Sequence, residues 1–203
     1  MEYLFALVGG VSAKLYDDIV DEGFEVSDTI KESLKGIQWI TLALISINDF
    51  NFTIMNYIIN VLNHLGNSEA YKNPYEFSLL LVYPIFLVLS FHTIQYPNLM
   101  YILGFLIFST GMFIEPFIIV ENVSYRKMII RLIMACLCIG VFILWNSLKI
   151  SENLFEPYLN LRATPSLLKI CLYAGGYFLT SAIVQYYLIK SDVQKDADPI
   201  VPA

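Results

Sequence analysis

Apolar residues in this chain come in long blocks divided by short polar stretches. The first block predicts a helix from about Glu2 through an acidic cluster at 17–25. Gly9 and Gly10 on it would let a second helix approach closely. Asp28 is expected to cap a short amphipathic piece holding Ile30, Lys31, Leu34 and Lys35. Between Gly36 and Gly66 no proline or glycine interrupts the chain. That stretch predicts either one tilted helix of about 45 Å at 1.5 Å per residue or two pieces broken near Asp49. Further spans are expected at 76–93, 98–119, 126–148 and 166–190, with Pro84 and Pro116 kinking two of them. Residues 150–165 read as a polar-aromatic connector.

The pattern therefore predicts an all-α, polytopic transmembrane helical bundle. It has six spans, or seven if 36–66 is split. Residues 1–190 form a single transmembrane domain, and 191–203 form a flexible polar tail. Basic residues divide six against six between the two sides of a six-span arrangement, so charge assigns no orientation.

Composition agrees with this picture. The chain has 203 residues, 57% of them hydrophobic and 15% charged. Its mean hydropathy is +0.63. A soluble domain carries roughly 25% charged residues, so a soluble globular fold is not expected. A transmembrane barrel would show short alternating segments, which are absent. No basic stretch followed by a small-residue cleavage site opens the chain, so residues 1–13 are expected to be kept as helix. A net charge of −6 argues against a nucleic-acid partner. Cys136, Cys138 and Cys171 lie in apolar stretches without Cys-x-x-Cys spacing. They read as small buried hydrophobes, with neither a disulfide framework nor a metal site.

Four groups of residues could carry chemistry. A polar stripe runs through Ser46, Asp49, Thr53, Asn56, Asn60, Asn63 and Asn67 at spacings of 3, 4, 3, 4, 3 and 4, which is one helical face. Lipid would not tolerate that face, so it must meet protein or a water-filled cavity. It reads either as interhelical hydrogen bonding or as the wall of a polar cavity, with Asp49 its best ion ligand. Glu115, His92 and Glu76 are lone polar groups in or beside apolar spans. Arg126, Lys127 and Arg131 open a span and read as interfacial basic residues or as phosphate ligands.

The fourth group is the acidic run itself. Asp17, Asp21 and Glu25 would share one helical face, with Asp18 and Glu22 on the next. The carboxylates also sit at the negative end of a helix dipole. Such a cluster calls for a cation, either a metal or a basic partner.

Asp17-Asp18-Ile-Val-Asp21 fits an Asp-Asp-x-x-Asp pattern. Extended to Glu25, the string resembles the first acidic motif of the UbiA-type intramembrane prenyltransferases, Asn-Asp-x-x-Asp-x-x-x-Asp. Asp17 stands for the Asn and Glu25 for the final Asp. The resemblance covers nine residues, and no second Asp-rich motif is present; the Asp49–Asn67 stripe is the closest substitute. It implies that Asp17, Asp18, Asp21 and Glu25 hold Mg²⁺ against the diphosphate of an isoprenoid donor. Asp18 and Asp49 would then be catalytic. Lys14, Arg126, Lys127, Asn56 and Asn60 would line the binding site, with Lys14, Arg126 or Lys127 holding phosphate.

Three functions are open on these readings. The first is a Mg²⁺-dependent membrane enzyme of the transferase class, acting on an isoprenoid or other lipid diphosphate. The second is a cation or proton transporter or channel with an acidic vestibule and an Asn-lined cavity. The third is a noncatalytic membrane scaffold subunit whose acids dock a basic partner.

Overall fold

The computed structural model describes residues 1–21, 23–66, 84–86, 88–89, 122–148 and 164–197. The described elements are all helical: α1 (Glu2–Asp21), α2 (Asp28–Ser46), α3 (Phe50–Gly66), α4 (Val123–Leu148) and α5 (Thr164–Ala197). Of the expected span 76–93, the described parts at 84–86 and 88–89 are helical. The expected span 98–119 lies outside the described residues, as do Glu76, His92 and Glu115.

Helix α1 stops where its sequence stops supporting it. Gly23 adopts φ +66°, the left-handed conformation that ends helices and that glycine takes without a Cβ penalty. Helix α2 then begins at Asp28, preceded by Ser27 in extended geometry. Two expectations need correcting. Ser27, not Asp28, occupies the cap position. The short amphipathic piece and the segment after Gly36 are also one continuous helix. Gly36 lies mid-helix, with nothing within 4 Å of where a Cβ would stand, so it is tolerated as a weak position and not a boundary.

The 36–66 stretch is two helices, broken at 47–49. The break is a cap. The Asp49 carboxylate accepts the Phe52 backbone N–H at 2.9 Å, and Thr53 Oγ1 donates to the Asp49 carbonyl at 2.9 Å. An Asp at this position satisfies donors that the first helical turn would otherwise strand. Helix α4 opens in the same way, with Asn122 Oδ1 accepting from the N–H groups of Ser124 (2.9 Å) and Tyr125 (3.2 Å).

Helix α5 packs along both α1 and α4, and α2 packs on α1. The α1–α5 contact is close because both helices place glycine at the crossing. A Cβ on Gly10 would stand 2.0 Å from the Tyr173 carbonyl oxygen, and one on Gly176 would stand 2.8 Å from that of Leu7. Ala6, Leu42, Ile45, Phe52, Ile170 and Tyr173 fill the core, with Phe52 and Tyr173 meeting edge to face at 6.2 Å. Helix α5 continues past Lys190 through Ala197, so the expected tail starts as helix.

Among the described residues, one stretch, Ser124–Leu144 on α4, is long and apolar enough to cross a membrane. Of its most apolar window, 17% is buried inside the protein. A core helix of a soluble protein would be mostly covered, so this exposure is compatible with membrane association.

Candidate functional site

The inward face of α1 carries charge into the bundle. Lys14 and Asp18 are 7% and 6% exposed. Lys14 lies one turn before two acids, at the three- and four-residue spacings that bring side chains together on a helix. Its ammonium donates to Asp17 Oδ2 and pairs with Asp18 Oδ1 at 2.8 Å. It also lies 5.2 Å from the ring centroid of Tyr177 on α5, whose hydroxyl donates to Asp17 Oδ2 at 3.4 Å. From α4, Arg131 acts through space on Asp18 and donates to Gln185 Oε1 at 3.1 Å. Helices α1 and α5 thus meet at the Asp17–Asp18 pair.

The cation that the acids call for is therefore supplied first by the chain itself. Lys14, expected to hold phosphate, is engaged with Asp17 and Asp18. Asp18 Oδ2, buried, has no hydrogen-bond partner among the described residues. A buried carboxylate oxygen left without a donor costs stability.

The other two acids stand apart. Asp21, exposed, is the last residue of α1. Glu25, also exposed, lies in non-helical chain beyond Gly23, so the helical face expected to join Asp17, Asp21 and Glu25 stops at Asp21. Among the described residues no three His, Cys, Asp or Glu side chains gather closely enough to hold a metal by themselves. Beside this end of α1 lies an open pocket of about 650 Å³. Ile19, Val20, Phe24 and Val26 line it, together with Glu25 and Lys31.

A second buried ionic centre lies at Asp49, whose side chain is 7% exposed. Ser166 Oγ donates to both carboxylate oxygens, at 2.7 and 2.9 Å. Lys169 Nζ donates to Oδ2 at 2.7 Å and pairs with Glu2 Oε2 at 2.5 Å. Together with the Phe52 N–H, these donors engage both Asp49 oxygens. The starts of α1, α3 and α5 are tied through one lysine.

The polar stripe turns inward as its spacing requires: Ser46, Thr53 and Asn56 are buried, and Asn56 has a partner. Asn60 is on α3, but its side chain, like those of Asn63 and His64, lies outside the described residues, as does Asn67. Arg126, half-buried and engaged, and Lys127, exposed, sit in the first turn of α4.

Glu2, Ser166, Lys169, Tyr177 and Gln185 were not singled out from sequence. Two signals were readable: the Lys14 spacing to Asp17 and Asp18, and a lysine one turn after Ser166 in an otherwise apolar run.

Comparison with protein-family models, with curated proteins and with solved structures finds no match to this chain.

Proposed function

We propose that this chain is an integral membrane enzyme of six or seven helical spans that acts on an isoprenoid or other lipid diphosphate. Mg²⁺ would be held at the inward acidic end of α1, as the resemblance to UbiA-type prenyltransferases implies. The observation that carries this reading is the buried Oδ2 of Asp18, without a hydrogen-bond partner among the described residues, beside the carboxylate of Asp17. Mg²⁺ is usually bound through one or two carboxylates, with substrate phosphate and water completing its shell. Two adjoining carboxylates with an oxygen to spare fit that requirement without a third protein acid. Mg²⁺ there would neutralise the diphosphate leaving group.

The chain's own residues would do the rest. Asp17 and Asp18 bind; Asp21 and Glu25 stand at the exposed rim. Lys14 and Arg131 supply positive charge for phosphate oxygens. Tyr177, whose ring centroid lies 5.2 Å from the Lys14 ammonium, would steady that cation beside the site. The pocket walled by Ile19, Val20, Phe24 and Val26, with Lys31 and Glu25 at hand, suits an amphiphile. Membrane residence is supported by the apolar, outward-facing α4 and by exposed Leu4, Val8, Ile40 and Ile183 on other helices.

Asp49 has a different part in this reading. Its oxygens are taken by Ser166, Lys169 and Phe52, so it positions α3 and α5 and does not touch substrate.

The test is turnover. Asp18→Asn should abolish Mg²⁺-dependent consumption of an isoprenyl diphosphate while leaving helical content unchanged. Unchanged turnover would refute the reading. A second reading, a cation or proton carrier, draws on the buried Lys14–Asp18 pair, since charges inside a bundle often mark ion pathways. It predicts flux in reconstituted vesicles that Asp18→Asn stops.

A further inference from the structure

We infer that Lys14 is the resident counter-ion of a divalent-cation site on Asp17 and Asp18, and that the arriving cation displaces it. The inference rests on the proposed function and assigns Lys14 a role in regulating that site.

The geometry gives three reasons. First, the Lys14 ammonium already bridges Asp17 and Asp18, where a cation shared by both carboxylates would stand. Second, the bridge is incomplete. Asp18 is 6% exposed, and its Oδ2 has no partner among the described residues, so the pair keeps a ligand that Lys14 does not use. A dication could take that oxygen as well. Third, Lys14 keeps a partner if it leaves the carboxylates. Its Nζ lies 5.2 Å from the Tyr177 ring centroid, and a cation over an aromatic face remains stabilised when it leaves a carboxylate. The Arg131 guanidinium is held by Gln185, so it is not the bridging group.

A function arises from this arrangement. With Lys14 in place the site neutralises itself and resists filling by a metal alone. A diphosphate arriving with the metal gives the freed ammonium new acceptors, so metal and diphosphate would bind cooperatively. The enzyme would bind its metal weakly alone and more tightly with its substrate.

The test uses Mg²⁺ alone, titrated calorimetrically into the detergent-solubilised full chain. Lys14→Met and Lys14→Gln should bind Mg²⁺ tighter than the unaltered chain, by roughly tenfold or more, because the internal competitor is gone. Asp18→Asn should lose the binding. A second measurement needs no variant of Lys14. Saturating Mg²⁺ should raise acylation of Lys14 in the unaltered chain, read by peptide mass spectrometry, which a purely electrostatic effect of the lysine would not do. Equal or weaker affinity in both Lys14 variants, with binding still dependent on Asp18, would overturn the displacement and leave the proposed function standing. Lys14 acylation unchanged at saturating Mg²⁺ would do the same. Absence of Asp18-dependent Mg²⁺ binding in every chain would overturn both.

Discussion

Lys169 Nζ lies 2.7 Å from Asp49 Oδ2, a contact that spans 120 residues of sequence and joins the start of α5 to the start of α3. Both side chains are 7% exposed. Removing one member of a buried pair strands the other, at a cost of about 3–5 kcal/mol. Lys169→Met should therefore lower unfolding stability in detergent by about that much. Pairing it with Asp49→Asn should recover part of the loss, because the stranded charge is gone. A loss under about 1 kcal/mol for Lys169→Met would show that the contact adds no more than a surface pair does.

The α1–α5 crossing makes a sharper prediction at Gly10. Its Cβ position overlaps the Tyr173 backbone, which cannot rotate away. Gly10→Ala should destabilise the chain by roughly 1–3 kcal/mol by forcing the helices apart. Gly36→Ala, in open space on α2, should be neutral or stabilising by up to about 1 kcal/mol. Thermal melts of the two variants side by side give the comparison. Equal effects would contradict this packing of α1 on α5.

The cysteines should differ in reactivity. Cys136 is exposed, while Cys138 and Cys171 are buried. A small membrane-permeant thiol reagent should label Cys136 first, and label the other two only after denaturation. Early labelling of Cys171 would place the α4–α5 seam elsewhere.

Much of the fold was legible because helix-forming patterns and caps are local. The break near Asp49 could be anticipated, since Asp interrupts an apolar run and can cap the next helix. The inward turn of Ser46, Thr53 and Asn56 came from their spacing alone. Gly36 misled because glycine weakens a helix without ending it; Gly23, with its left-handed φ, is the one that ends α1. The ionic centres were half legible. The acids of α1 stood out, and Lys14 lay at a spacing that could have paired them from sequence. The Lys169–Asp49 contact could not be read, because it depends on how α5 docks on α3. No local rule carries that information.

Binding of Mg²⁺ and diphosphate at Asp18 is tested most directly by thermal unfolding of the detergent-solubilised chain. Mg²⁺ and an isoprenyl diphosphate are added separately and together. A ligand that binds the folded state stabilises it by about 2.7 kcal/mol at one hundred times its Kd. The midpoint should rise further with the pair than with the two separate shifts added together, and the rise should disappear in Asp18→Asn. No shift with the pair, or an equal shift in Asp18→Asn, would contradict a shared metal and diphosphate site on α1.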